Sequence, residues 1–176
     1  MDKTVIFELK MNIRQVTILL FSFFLFVNGF SQKISLPKDF EIEFQFCGNN
    51  FNSAKTSFTK LFSSGDSVEV KLRLTKKEKL QIFSLLEKND FFDYPTHYKC
   101  SFNEGDGFST ATPCCSYCLT AYQKDGSKTV SWSQCEKFNP DDEKFKKLMT
   151  IYEEILKIII NKKQYKNLPH DKIERL

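Results

Sequence analysis

The chain has 176 residues and a formal net charge of +4, with 26 basic and 22 acidic residues spread along its length. This weak, dispersed charge argues against a nucleic-acid-binding protein, which needs a concentrated basic patch. The length suits one domain rather than several, and a domain of this size can bury a sizeable hydrophobic core.

The N-terminus has the three-part layout of a secretory signal peptide. Arg14 provides a positive flank, an apolar run extends from Val16 to Val27, and the small residues Gly29 and Ser31 follow. The alternative is a retained membrane anchor, but a run this short falls below the roughly 20 residues that cross a bilayer. We predict a signal peptide at residues 1–31, with Met11 as an alternative start, and an exported protein, secreted or periplasmic, without a membrane span after cleavage.

The remaining chain is predicted to be a single domain over residues 32–166, followed by a polar tail over residues 167–176. Cleavage after Ser31 leaves 145 residues, of which 23 are basic and 20 are acidic. All six cysteines remain in this part of the chain. An even number of cysteines in an exported protein favours disulfide bonds.

Alternating apolar and polar residues predict three strands in the first half of the domain, at 40–47, 57–62 and 67–74. A short turn containing Gly65, which tolerates a positive φ, joins the second strand to the third. A helix follows, with Thr75 and Glu78 as a capping box and Asn89 as its end. Its predicted apolar stripe consists of Leu80, Ile82, Phe83 and Leu86.

A β-hairpin is predicted between Cys115 and Cys135, with Asp125 and Gly126 as its two loop residues. In this register Lys124 faces Ser127, and Cys135 lies opposite Ser116. One face of the hairpin is then apolar and the other is polar. The apolar set is Tyr117, Leu119, Ala121, Val130 and Trp132; the polar set is Cys118, Thr120, Tyr122, Thr129, Ser131, Ser133 and Cys135.

The last element is a long amphipathic helix, predicted to be capped by Asn139 with Pro140 at its first position. Its apolar stripe recurs at three-four spacing from Phe145 to Ile159. The predicted fold is therefore α+β and stapled by disulfides. It has the order β-β-β-α-β-β-α, an antiparallel sheet of about five strands and two helices packed on one face.

Three hypotheses concern the cysteines. Cys115 and Cys118 have the C-x-x-C spacing of a zinc site or of a redox pair. Zinc would need reduced thiols and a second such pair, and a redox pair would need a helix N-terminus where this sequence predicts a strand. Disulfide bonds are the preferred interpretation, with candidates Cys47, Cys100, Cys114, Cys115, Cys118 and Cys135. Cys100 is predicted to pair with Cys114 or Cys115, and Cys47 is a possible partner for Cys118 or Cys135.

The long connection from Phe91 to Pro113 is rich in aromatic residues, and loops of this length are either functional or tied down. Its aromatic residues either seal the edge of the core or form a partly exposed binding surface. The residues 103–107 resemble no calcium-binding loop closely, because the required acidic ligands are missing. His97 lacks the surroundings of a catalytic triad, since only Asp93 and Asp106 are near it in sequence.

The sequence contains no motif for catalysis, and no cofactor or metal is predicted. The preferred hypothesis is a non-catalytic exported module that binds an unknown protein, small molecule or glycan through residues 91–118. The alternatives are an exported thiol-disulfide oxidoreductase using Cys115 and Cys118, and a structural protein of the cell envelope. The predicted binding residues are Tyr94, His97, Tyr98, Phe102 and Phe108.

Overall fold

A computed structural model describes residues 35–99, 115–134, 139 and 141–169 of the chain. The predicted signal peptide lies outside these ranges, as do most of the predicted tail and the predicted first helical position, Pro140. Five predicted site residues also lie outside the described part of the chain: Cys100, Phe102, Phe108, Cys114 and Cys135.

The described residues form an α+β fold around one antiparallel sheet of six strands, in the order β4-β3-β2-β1-β5-β6. The α+β class and the antiparallel sheet are therefore confirmed, with one strand more than the approximate prediction. The strands are β1 (Glu41–Phe46), β2 (Asn49–Asn52), β3 (Ser57–Leu61), β4 (Ser67–Lys71), β5 (Ser116–Gln123) and β6 (Gly126–Ser133). The helices are α1 (Lys76–Lys88), α2 (Glu143–Ile160) and α3 (Lys163–Lys166), with a 3₁₀ turn at Phe91–Asp93.

The strand that the sequence pattern missed is β2, which pairs with β1 through a two-residue turn at Cys47 and Gly48. Both turn residues have positive φ, 48° and 82°, as a tight turn matched to the sheet twist requires. The strand itself reads NNFN. Asparagine is depleted in strands, so its residues carry almost no strand signal.

The β5–β6 hairpin forms in a register different from the predicted one. Gln123 pairs with Gly126, and Ser116 pairs with Ser133. The predictions that Lys124 faces Ser127 and that Cys135 lies opposite Ser116 are therefore wrong. The predicted faces are nevertheless correct, because moving each residue's partner by two positions leaves every side chain on the same side of the sheet. The five predicted apolar residues of the hairpin are all buried.

Aromatic contacts join the sheet to the two long helices. Phe83 of α1 packs against Phe40 with ring centroids 5.2 Å apart. Tyr152 of α2 lies 4.8 Å from Tyr117 and 5.8 Å from Phe44. These contacts belong to a single core of buried residues drawn from the strands and both helices.

The start and end of α1 agree with the prediction, with a complete Thr75–Glu78 capping box and Asn89 as the C-cap. Leu80 does not belong to its buried stripe and is 37% exposed. The buried residues are Ile82, Phe83 and Leu86, and Leu80 points about 110° away from their centre on a helix of 3.6 residues per turn.

The start of α2 differs from the prediction by one turn. Its N-cap is Asp142, whose side chain accepts a hydrogen bond of 2.8 Å from the Phe145 amide. Asn139 instead accepts a bond of 2.9 Å from the Asp141 amide and forms the preceding turn. Within the described ranges, no helix has both the length and the apolar character needed to cross a membrane.

Candidate functional site

One disulfide bond joins Cys47 in the β1–β2 turn to Cys115 at the start of β5. The neighbouring backbone also connects these segments, because the Cys47 amide donates a 3.3 Å hydrogen bond to the Ser116 carbonyl. The expected pairing of Cys100 with Cys115 and that of Cys47 with Cys118 or Cys135 are therefore wrong. The alternative pairing of Cys100 with Cys114 lies outside the described residues.

Cys118 is a half-buried free thiol on the polar face of the sheet. Burial raises the pKa of this thiol, and the nearby Glu43 carboxylate raises it further. The hydrogen bond to Thr120 lowers the pKa but does not outweigh these effects. Since the thiolate is the reactive form of cysteine, these surroundings make Cys118 a poor nucleophile.

Two of the predicted binding residues, Tyr94 and Tyr98, are buried against the start of α2. They are 5% and 9% exposed, and their rings meet edge to face with centroids 5.6 Å apart. The Tyr94 hydroxyl donates to the Lys144 carbonyl at 2.8 Å, and the Tyr98 hydroxyl donates to the Asp142 carboxylate at 2.7 Å. Burial raises the pKa of Tyr94 to about 12. Both side chains are therefore held by the core and leave little surface for a ligand.

His97 is exposed and lies beside the outer edge of β6. Its Nδ1 is 2.6 Å from the Ser131 hydroxyl. The backbone on either side of His97 pairs with the same strand. The Tyr98 amide donates to the Ser131 carbonyl, and the Ser131 amide donates to the Thr96 carbonyl, both at 2.8 Å. Within the described residues no carboxylate, Asp93 included, contacts this imidazole, and Asp106 lies outside those residues.

A cleft of about 640 Å³ lies elsewhere on the molecule, and none of the predicted site residues lines it. Its walls come from three segments, residues 36–41, 53–56 and 73–79. These are the approach to β1, the β2–β3 turn, and the junction of β4 with α1. Ligand pockets in proteins typically measure about 300–1,000 Å³, so this cleft has the volume to hold a small molecule.

A hydrogen-bonded chain fixes one wall of this cleft. Ser53 is 4% exposed; its hydroxyl accepts a 2.8 Å bond from the Ile42 amide and donates to the Glu41 carboxylate at 2.5 Å. Lys79 of α1 forms an ion pair with the same carboxylate. Glu41 is therefore engaged by both neighbours, and its negative charge is compensated by Lys79.

The charge of the cleft is strongly positive. Four cations and one carboxylate line it, which leaves an excess of three positive charges. Lys79 neutralises Glu41, whereas Lys38, Arg73 and Lys76 form no ion pair within the part of the chain that the structure describes. All three side chains are exposed. The cleft is therefore the candidate binding site, and its unpaired cations give it a positive potential.

Sequence reasoning missed this cleft because its cations come from two separate segments, 36–41 and 73–79, without a motif. Lys38 precedes the first predicted strand, Arg73 lies at the end of the third, and Lys76 follows the helix cap. The basic residues that flank the predicted capping box were the one indication of it in the sequence. The cleft forms because the sheet places residues 36–41 and 53–56 next to that helix.

Comparison with known proteins gives no family assignment, because no protein-family model, curated protein or solved structure matches this chain. Within the described ranges, no group of three or more histidine, cysteine, aspartate or glutamate residues is arranged to hold a metal ion.

Proposed function

We propose that this chain is a non-catalytic binding domain that works in an oxidising compartment and holds its ligand in the basic cleft. The observation that carries the proposal is the set of three unpaired cations around a cleft of ligand size. The Cys47–Cys115 bond supports export, because disulfides persist in oxidising surroundings.

The cleft is favoured over residues 91–118 as the binding site because of how the polar groups are used. Tyr94 and Tyr98 direct their hydroxyls to internal partners, and His97 contacts Ser131. Lys38, Arg73 and Lys76 keep their charges available. Binding through Phe102 and Phe108 stays a prediction, since these residues lie outside the described ranges.

We further propose that α1 and α2 both cover the apolar face of the sheet. The contacts of Phe83 with Phe40 and of Tyr152 with Phe44 support this arrangement, as does the burial of Ile42, Phe44 and Phe46 along β1. With that face occupied, α1 positions Lys76 and Lys79 beside the start of β1 and the β2–β3 turn, where they line the cleft.

The proposal is tested by recording amide NMR spectra of the purified, oxidised protein with a library of small neutral, cationic and anionic fragments. We expect the fragments that bind to shift the amides of Ser53, Thr56 and Lys76, which line the cleft. Spectra in which the cleft amides never move, whatever the fragment, would contradict the proposed function.

The thiol-disulfide oxidoreductase alternative is tested separately by an insulin-reduction assay and by thiol labelling. It requires a reducible bond between Cys115 and Cys118, whereas Cys115 is bonded to Cys47 and the pKa of the Cys118 thiol is raised. We expect no insulin reduction and slow labelling of Cys118 at neutral pH. Rapid labelling together with insulin reduction would favour the enzyme over the binding domain.

A further inference from the structure

We infer that the ligand of the basic cleft is a small organic anion, with one acidic group joined to an apolar body. This inference rests on the proposed function and specifies the ligand of the same site. Two features of the cleft lead to it: the unpaired cations and an apolar wall beside them.

The apolar wall is formed by residues from all three segments that line the cleft. Leu36 and Pro37 come from the approach to β1, Ala54 from the β2–β3 turn, and Leu74 from the end of the strand region. Leu74 is 4% exposed and belongs to the hydrophobic core, so the wall is continuous with that core. An apolar group placed here loses contact with water, which favours binding in proportion to the apolar area buried.

The cations determine the chemistry of the other end of the ligand. Arg73 presents a planar guanidinium that can donate two parallel hydrogen bonds to a carboxylate, phosphate or sulfonate. Lys38 and Lys76 add charge without a fixed direction. A neutral ligand would leave three like charges uncompensated, whereas an acidic group compensates at least one.

The size of the cleft limits the ligand to a small molecule. A volume of about 640 Å³ is in the middle of the range for small-molecule pockets. The cations come from exposed positions at the rim, while the buried Ser53 is already committed to Glu41 and the Ile42 amide. The acidic group is therefore expected at the rim and the apolar body against the wall.

The experiment uses one apolar body with different attached groups. Amide NMR titrations of the oxidised protein are recorded with 2-naphthalenesulfonate, 2-naphthoate and 2-naphthyl phosphate, with the neutral 2-naphthalenesulfonamide, and with inorganic sulfate alone. We expect the three anions to bind in the cleft about threefold to a hundredfold more tightly than the sulfonamide, since up to three exposed cations contribute and each exposed pair is worth up to about fivefold. Inorganic sulfate is expected to bind more weakly than the naphthalene anions.

The comparison among the three anions identifies the acidic group that the cleft prefers.

Arg73→Gln is expected to weaken anion binding up to about fivefold and to leave sulfonamide binding unchanged. The matched control is Lys124→Gln, which removes an exposed charge in the β5–β6 loop that does not line the cleft. Raising the salt concentration from 50 to 500 mM is expected to weaken the anions only, because salt screens exposed charges.

Two results would overturn the inference while leaving the proposed function intact. In the first, the sulfonamide shifts the same cleft amides with the same affinity as the anions. In the second, inorganic sulfate binds as tightly as the naphthalene anions, which would show that the apolar wall takes no part. The inference also fails if other fragments bind in the cleft but no anion does. If no compound shifts any cleft amide, the result contradicts the proposed function itself.

Discussion

Two regions of this molecule bring chain segments together near the start of a long helix, and they use their polar groups in opposite ways. At the start of α2, the hydroxyls of Tyr94 and Tyr98 are bonded to groups of that helix and its cap. Beside the start of α1, the side chains of Lys38, Arg73 and Lys76 remain exposed and unpaired within the described residues. The first region stabilises the fold, and the second leaves charge available for a ligand.

The largest effect is expected from a change outside both regions, the loss of the Cys47–Cys115 bond. The bond closes a loop of 68 residues, and its removal costs about 4 kcal/mol in the chain-entropy model. We expect the double variant Cys47→Asn/Cys115→Ser to lose about this much in urea unfolding, since asparagine tolerates the positive φ of position 47.

The control for this variant is Cys118→Ser, which removes the free thiol and keeps the bond. A Cys118→Ser protein should remain close to the original in unfolding free energy. Equal losses in the two proteins would mean that the bond does not restrain the fold.

Tyr94→Ala is expected to destabilise the protein by about 3 kcal/mol, because it empties a buried aromatic site. Its effect on anion binding in the cleft is expected to be negligible, since Tyr94 does not line it. Urea unfolding and a naphthalenesulfonate titration of the same variant provide both measurements. If the Tyr94→Ala protein were as stable as the original but bound the anion more weakly, Tyr94 would serve binding rather than the fold, contrary to this prediction.

Tyr98→Phe is expected to cost about 1.5 kcal/mol at pH 7, because it removes a hydrogen bond to a charged group. Burial disfavours the charged form of Asp142, but the hydrogen bonds from Tyr98 and Phe145 prevail and lower the pKa of this carboxyl. The ionised Asp142 carboxylate therefore contributes fully to the stability of the fold above the usual aspartate pKa of about 4. This contribution is lost as the pH falls through the lower pKa that Asp142 has in the folded protein. The loss caused by Tyr98→Phe should accordingly be smaller at pH 2 than at pH 7.

The control is Tyr94→Phe. The hydroxyl that this change removes donates to a backbone carbonyl rather than to a carboxylate. Its cost should be the same at pH 2 and pH 7 in urea unfolding. If both variants respond to acid equally, the Tyr98–Asp142 bond is not what couples this region to pH.

The smallest effect on stability is expected at the cleft. Arg73→Gln changes an exposed side chain without an ion pair in the described structure, so its unfolding free energy should change by less than about 0.5 kcal/mol. The same variant is expected to weaken anion binding, as described above. A destabilised Arg73→Gln protein would indicate that this cation is structural, like the two tyrosines.

Local patterns predicted much of the fold. The alternation around Ile42 and Phe44 identified β1, and the Thr75–Glu78 capping box identified the start of α1. The β5–β6 faces were predicted correctly although the pairing was not, because the side chain's face depends only on the parity of its position. β2 was missed because its asparagines carry no strand signal and its turn uses Cys47 in place of a typical turn residue.

The site was much less predictable than the fold. Sequence reasoning placed binding in the aromatic segment that includes Tyr94 and Tyr98, because clustered aromatic residues can mark either a core edge or a binding surface. The structure gives their burial and internal partners, which composition does not contain. The cations of the cleft carried no pattern, since Lys38 and Lys76 are 38 positions apart.

By itself, the sequence determined the antiparallel α+β character, the ends of α1 and the division of the hairpin into an apolar and a polar face. These features depend on interactions between residues close in the chain, whose spacing can be read directly. Only the tertiary structure decided the bond between Cys47 and Cys115, the burial of Tyr94 and Tyr98, and the assembly of the cleft. The bond depends on β1 lying between β2 and β5, and the burial of the tyrosines depends on the start of α2. The cleft depends on the start of β1 and the β2–β3 turn meeting α1. Each of these is a contact between distant segments, so it results from packing the whole chain rather than from any one segment.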